Sequence, residues 1–317
     1  MDHQGAMQLL DQIRRNMESC IYGKKDEIAW MLTALLAGGH VLIEDVPGTG
    51  KTQMVKALAL SVGGVFHRIQ CNPDLLPTDI TGVSIYHPKQ EEFVFRPGPV
   101  MANLLLADEI NRATTKTQSA LLEAMEERRV SVDGQTYQLP QPFMLFATQN
   151  PIDFEGTYSL PEAQLDRFLM KIKLGYPDEI SEKRLILEPN ASRAAESLKA
   201  VASVEDIARM QKLAEAIHLD ASVADYLIAL IRGTRNHSGV LLGASPRAAV
   251  ALASAAKAYA FLQHRAFVIP DDVKAMAPLV LSHRIHLRSE ARMQGATTAN
   301  VLQDVLRNLP VPVGMER

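Results

Sequence analysis

Val41-Leu42-Ile43-Glu44-Asp45-Val46-Pro47-Gly48-Thr49-Gly50-Lys51-Thr52 is the stretch that decides the fold. Its first three residues are a short apolar run, the pattern of a strand buried on both faces of a parallel sheet. From Thr52 onward, Val55, Leu58, Ala59 and Val62 recur at helical spacing. Between strand and helix, residues 45–52 match the phosphate-binding loop G-x-x-x-x-G-K-[ST], except that Asp45 replaces the first glycine. Pro47, Gly48, Thr49 and Gly50 form the body of this loop; the glycines let backbone amides turn toward phosphates, and the following helix directs its positive end at them. Lys51 is expected to meet the β and γ phosphates of a nucleotide, and Thr52 to give its hydroxyl to Mg2+. Asp45 is the departure to be explained, because aspartate tolerates positive φ less well than glycine.

A second motif lies downstream. Leu104-Leu105-Leu106-Ala107-Asp108-Glu109 is an apolar strand from Asn103 to Ala107 that runs into two acids, and the C-terminal ends of strands are where an open α/β sheet places its ligand. Asp108 is expected to share the metal with Thr52, and Glu109 to orient and deprotonate the attacking water. Further strands are predicted at Val65 to Gln70, Phe143 to Thr148 and Phe168 to Leu174, separated by segments long enough for crossover helices. In the last of these, Phe168, Met170 and Ile172 alternate with Leu169, Lys171 and Lys173, which predicts either a sheet edge or a half-exposed face. Met7, Leu10, Ile13 and Met17 predict an amphipathic helix, and a second helical run stops at Gly38-Gly39.

Two hairpins interrupt this alternation. One pairs Val83 and Ile85 with Phe93 and Phe95; the other turns at Asp133-Gly134, a type I′ signal. Beyond Pro177 helical signals take over: Val223, Leu227, Leu230 and Ile231 form one stripe, Ser245-Pro246 opens the run Arg247 to Leu262, and Pro270-Asp271 opens another. The predicted fold is an α/β parallel-sheet core with inserted β-hairpins over residues 1–176, followed by a small all-α domain over 177–317.

Composition narrows the classes. The chain has 317 residues, 47% hydrophobic and 22% charged, enough for a large core and a second unit. A net charge of −3 argues against a sequence-independent grip on nucleic acid or anionic lipid, which needs a basic field. Cys20 and Cys71 stand alone without a CxxC pair, so neither a disulfide framework nor a zinc site is expected. The N-terminus lacks a signal-peptide pattern and no apolar stretch reaches about 18 residues, so a cytoplasmic protein without a transmembrane segment is expected.

Five stretches together carry a resemblance: Gly38-Gly39-His40 through Lys51-Thr52, Ala107-Asp108-Glu109-Ile110-Asn111-Arg112-Ala113, Ala147-Thr148-Gln149-Asn150-Pro151, Glu155-Gly156-Thr157-Tyr158, and Leu160-Pro161-Glu162-Ala163-Gln164-Leu165-Asp166-Arg167-Phe168. Over nearly its whole length the chain resembles the MoxR family of AAA+ ATPases, in which the Glu-Asp-Val-Pro-Gly form of the loop also occurs. The resemblance implies a P-loop AAA+ core with a C-terminal helical lid, ATP and Mg2+ as cofactors, and hydrolysis in a homo-oligomeric ring, usually a hexamer. It implies that Asn150 senses the γ-phosphate or the attacking water, and that Arg167 is an arginine finger for the next subunit. Arg247 corresponds to a second sensor; it lies in the first turn of a helix, where a cation opposes the helix dipole. Tyr22 and Gly23 resemble the adenine-side segment. The other reading of Arg167 is an ion pair with Asp166. Asn111 and Arg112 either cap the next helix or face a neighbour, and Asn72 either restrains Glu109 or makes a turn with Pro73.

By the same resemblance, hydrolysis drives chaperone-like remodelling, maturation or activation of a partner protein, often alongside a partner carrying a von Willebrand factor A domain. Two alternatives share the site chemistry. A magnesium-chelatase-like motor subunit is one, although no metal-ligand cluster is present on this chain. A nucleic-acid motor would want basic hairpin tips, whereas the tips carry Asp133-Gly134-Gln135 and Lys89 against Glu91 and Glu92. A switch without turnover would lack a base or a finger, and both Glu109 and Arg167 are present.

Overall fold

The computed structural model describes residues 1–89, 91–150, 157–188 and 195–312. The chain forms two compact units: Met1–Met31, His40–Leu160 and Ile172–Arg209 make the first, and Leu32–Gly39, Pro161–Lys171 and Met210–Arg317 the second. Strand and helix signals alone draw a single line after Tyr176, whereas the chain passes between the units several times.

The first unit opens with α1 (His3–Glu18), capped by Asp2, which accepts from the Gly5 amide at 2.9 Å. Its buried stripe is Ala6, Leu10, Ile13 and Met17, so it begins at Ala6 rather than Met7. Next come α2 (Lys25–Leu36), β1 (Val41–Glu44), α3 (Lys51–Ser61), β2 (Phe66–Gln70) and α4 (Pro77–Thr81). The first hairpin, β3 (Gly82–His87) and β4 (Glu92–Pro97), precedes β5 (Leu104–Asp108) and α5 (Thr115–Glu127). The second hairpin is β6 (Arg129–Val132) with β7 (Gln135–Gln138), and its turn residues Asp133 and Gly134 take φ of 50° and 79°, as a type I′ turn requires. β8 (Met144–Gln149) and α7 (Glu179–Leu187) follow; between them in the chain come α6 (Glu162–Leu165) and β9 (Met170–Ile172), of which α6 and most of β9 fall in the second unit.

The five-stranded sheet has the order β2-β5-β8-β1-β9. β2 with β5, β5 with β8, and β8 with β1 are all parallel, with Gln70 opposite Asp108 and Glu44 opposite Gln149. β5 and β8 are almost wholly buried, as apolar strands covered on both faces should be. β9 takes the edge that its lysine alternation allows, but it is shorter than the expected Phe168 to Leu174. The carbonyls of Phe168 and Leu169 are instead bound by side chains.

The second unit contains the second half of α8 (Val204–Glu215), then α9 (Ala221–Asn236), β10 (Val240–Leu242), α10 (Pro246–Leu262), α11 (Pro270–Leu281), β11 (His286–Leu287), α12 (Ser289–Met293) and α13 (Thr298–Asn308). Ser245 caps α10 by accepting from the Ala248 amide at 3.1 Å, with Pro246 in the first turn. The helical reading omitted β10 and β11, which pair antiparallel. Runs of two or three residues are too short to display a period.

His40 locks the base of the first unit. It is buried just before β1; its Nε2 donates to the Met125 carbonyl at 3.1 Å, and its Nδ1 accepts from the Leu145 amide at 2.9 Å. These partners require a neutral ring, and burial brings its pKa from 6.5 down to about 4. The folded value lies below the unfolded one, so the unfolded chain takes up the proton first as pH falls. The contribution is complete above pH 6.5 and is lost progressively down to about pH 4, on the order of 3 kcal/mol in all. Urea titrations across that window are expected to show stability falling with pH, with a shallower slope in His40→Gln.

Candidate active site

A cavity of about 450 Å³ lies where the sheet meets α3. It brings together Pro47, Gly48, Gly50, Lys51 and Thr52 from the loop, Asp108 and Glu109 from the end of β5, and Asn150 from the end of β8. Arg68, Gln70 and Thr148 line it as well, and none of these was singled out in the sequence. The convergence follows from parallel pairing, which puts the C-terminal ends of β1, β5 and β8 at one edge. Gly48 and Gly50 have φ of 86° and 83°. A Cβ at either would meet nothing within 4 Å, so conformation rather than room demands glycine here. Gly50 is also the N-cap of α3 and no side chain caps that end, which leaves its first amides for an anion. Thr49 is buried and its hydroxyl donates to the Val46 carbonyl at 3.4 Å, so its side chain shapes the loop. Lys51 Nζ donates to the Asp45 carbonyl at 3.0 Å.

The two acids sit in one hydrogen-bonded circuit. Thr148 Oγ1 donates to Asp108 Oδ1 at 2.5 Å and accepts from the Glu109 amide at 2.8 Å. Arg68 donates to Asp108 Oδ2 and to Gln70 Oε1, each at 2.7 Å. Gln70 Nε2 in turn donates to Glu109 Oε2 at 2.9 Å, and Arg112 Nε lies 3.3 Å from the same oxygen. Glu109 has a φ of 57°, a left-handed conformation that costs a non-glycine residue roughly 1–3 kcal/mol and persists only where its surroundings impose it.

This circuit resolves two open alternatives. Asn72 does not hold Glu109: its Oδ1 accepts from the Asp74 amide at 2.9 Å, making the turn, and the restraint comes from Gln70. Arg112 pairs with Glu109, while the cap of α5 is Thr114. Asn111 is buried, and its carbonyl accepts from the Tyr158 amide at 2.6 Å.

Asp45 does not take up left-handed φ. Its buried carboxylate accepts three amide N–H groups: Val46 at 2.8 Å through Oδ1, then Leu174 at 2.9 Å and Gly175 at 2.7 Å through Oδ2. The loop is thereby fastened to the segment after β9. Buried Lys24 grips the same segment, donating to the carbonyls of Leu174 and Tyr176. Tyr22 and Gly23 do not line the cavity. The Tyr22 ring lies 3.8 Å from the Arg184 guanidinium and its hydroxyl donates to Glu188 at 2.9 Å, while Gly23 packs on Asp178 and Ser181 at the start of α7.

Arg167 and Arg247 belong to the second unit. Arg167 follows α6, with its amide donating to the Gln164 carbonyl at 3.2 Å, and Arg247 is the second residue of α10. The neighbouring Asp166 carboxylate is engaged by Arg284 at 2.7 Å. Pro151, Glu155 and Gly156 lie outside the described residues. Thr52 and Asp108 offer hard oxygen donors to one cavity, and among the described residues no three His, Cys, Asp or Glu converge as a metal cage. That donor set suits magnesium, which takes one or two carboxylates and completes its shell with phosphate oxygens and water.

Comparison with known proteins agrees with this geometry. The model of the ATPase family associated with various cellular activities (AAA) matches residues 40–170, and that of the AAA lid domain matches residues 232–305. The chain is 50% identical to the uncharacterized protein YeaC of Bacillus subtilis over 305 residues, 96% of this chain and 95% of that one. It is 44% identical to Chaperone MoxR1 of Mycobacterium tuberculosis over 301 residues, 92% of this chain and 79% of that one. Identity to Protein MoxR of Methylorubrum extorquens is 31%, covering 95% and 94% of the two chains. A crystal structure from Cytophaga hutchinsonii, described as a candidate ATPase, superposes with a TM-score of 0.92 at 38% identity, covering 98% of this chain and 97% of that one.

The Asp45 clamp makes a prediction against the motif. Asp45→Gly restores the full phosphate-loop pattern yet strips three amides of their acceptor, at about 1–3 kcal/mol for each that stays buried and unpaired. Melting curves and ATP titrations are expected to show a less stable protein with weaker binding. Equal stability and affinity would remove the clamp as the reason for the aspartate.

Proposed function

Given that the chain belongs to the MoxR family of AAA+ ATPases, we propose that it hydrolyses Mg-ATP in a homo-oligomeric, hexameric ring and couples hydrolysis to chaperone-like remodelling of a partner protein. The observation that carries this reading is the convergence of Lys51, Thr52, Asp108, Glu109 and Asn150 on one cavity. The loop amides and Lys51 bind the β and γ phosphates. Thr52 and Asp108 hold magnesium, which neutralises charge between the phosphates. Glu109 takes the proton of the attacking water, and Asn150 orients that water against the γ-phosphate. Arg247 acts as the second sensor, and Tyr22 with Gly23 serves the adenine side beyond this cavity.

Arg167 serves the site of the next subunit, where a cation opposite the γ-phosphate is worth roughly 10³–10⁵ in rate. A site completed by a neighbour makes assembly part of the mechanism. For the partner, the hairpin β3–β4 exposes Ile85, Tyr86, Phe93 and Val94, an apolar surface suited to another protein rather than to a phosphate backbone. A protein with a von Willebrand factor A domain is the partner class we favour, and the cytoplasm the compartment; no helix among the described residues is long and apolar enough to cross a membrane.

Glu109→Gln is expected to bind ATP with unchanged affinity, to lose at least about 10²-fold in turnover, and to hold both ring and client in ATP. Sedimentation and affinity capture read the two effects. Wild-type turnover would exclude Glu109 as the base, and a single-subunit species in saturating Mg-ATP would exclude the ring. Lys51→Ala is expected to abolish ATP binding in a fluorescent-nucleotide titration, and undiminished affinity would reject the phosphate-loop assignment.

A further inference from the structure

We propose that Arg284 is the positioning residue for Arg167, holding in place the backbone that carries the catalytic arginine. This rests on the reading of Arg167 as the cation supplied to a neighbouring subunit. Arg284 follows α11, and its side chain is only 3% exposed. Its Nε donates to Asp166 Oδ1 at 2.7 Å, and Nη2 donates to the carbonyls of Asp166 at 2.9 Å and Phe168 at 2.8 Å. Nη1 donates to the carbonyls of Val280 at 2.8 Å and Leu169 at 3.4 Å. An arginine has five N–H groups in a planar fork, and each has an acceptor here. The carbonyls on both sides of Arg167 are thus bound by one rigid group.

His283 adds a second bond, its Nε2 donating to the Phe168 carbonyl at 3.0 Å. Burial and the adjacent Arg284 charge push its pKa down to about 3, so the ring is neutral and Nε2 carries the proton. The Arg167 segment lies between α6 and the three-residue β9. No strand pairing constrains Phe168 or Leu169, and the Arg284–His283 pair does so instead. A buried charge is a costly way to hold a chain unless the geometry it imposes is needed. A catalytic cation is such a need, because misplacement by about 1 Å can cost about 10²-fold in rate.

Arg284→Lys keeps the charge and loses the fork. It is expected to melt as a folded protein, to bind ATP with wild-type affinity and to assemble, while kcat falls about 10- to 100-fold at unchanged KM. Arg167→Ala is expected to be slower still, and the double variant to be no slower than Arg167→Ala alone. Asp166→Asn, which removes only the charged acceptor, is expected to give a smaller loss with the same non-additivity, and it decides the matter if Arg284→Lys fails to fold. Wild-type kcat in folded Arg284→Lys would overturn the proposal, as would a double variant slower by the product of the single effects. If Arg167→Ala itself retains wild-type kcat, the finger reading fails and takes the proposal with it; a slow Arg167→Ala with multiplicative losses overturns the role of Arg284 alone.

Discussion

The fold depends on the constraint that strands buried on both faces pair in parallel and therefore end at one edge of the sheet. β1, β5 and β8 satisfy their backbone groups against neighbouring strands of the one sheet. Their shared register leaves the loop after Glu44, the acids at Asp108 and Glu109, and Asn150 side by side. Residues about forty and a hundred positions apart in sequence meet without any long side chain reaching for another. A slip of one position in β5 would move Asp108 away from Thr148 and Arg68 together, so register fixes the chemistry as well as the core.

Charge within that edge is arranged around an anion yet to arrive. Lys51, Arg68 and Arg112 stand against Asp108 and Glu109, and each acid already has a cationic partner. A polyphosphate entering between them attracts Lys51 and Arg68 and repels both carboxylates. Asp108 would hold a divalent cation, whose charge would offset that repulsion. Gln70 bridges Arg68 and Glu109 through its two amide atoms. Glu109 and Asp108 are linked by three side chains of β2 and β8.

What the sequence made legible is what lies close along the chain. The loop, the two acids, the Asp133-Gly134 turn and the Ser245 cap are contiguous, and each rests on local conformational rules. Alternating lysines allowed either a sheet edge or a half-exposed face for β9, and it takes the edge. Gln70 was not, because its importance comes from standing opposite Asp108, and strand order is absent from periodicity. Asn72, two residues on, could be read as a restraint on Glu109 or as a turn residue, and it serves the turn. Asp45 looked like a conformational exception, whereas its partners at Leu174 and Gly175 lie about 130 residues away. Arg284 carries no motif at all, since four of its five acceptors are main-chain carbonyls, which any residue supplies.

Asp45 and Arg284 point to a common solution in the two units. Each is a buried charged side chain that binds backbone groups of a segment remote in sequence: amides for the carboxylate, carbonyls for the guanidinium. Apolar packing is non-directional and tolerates small displacements, whereas several charge-assisted hydrogen bonds to one rigid group do not. The cost is desolvation of a charge, which only full pairing offsets. Such clamps therefore belong where backbone position matters more than stability. One lies at the first residue of the phosphate loop and the other around Arg167, the residue proposed to serve a neighbouring subunit.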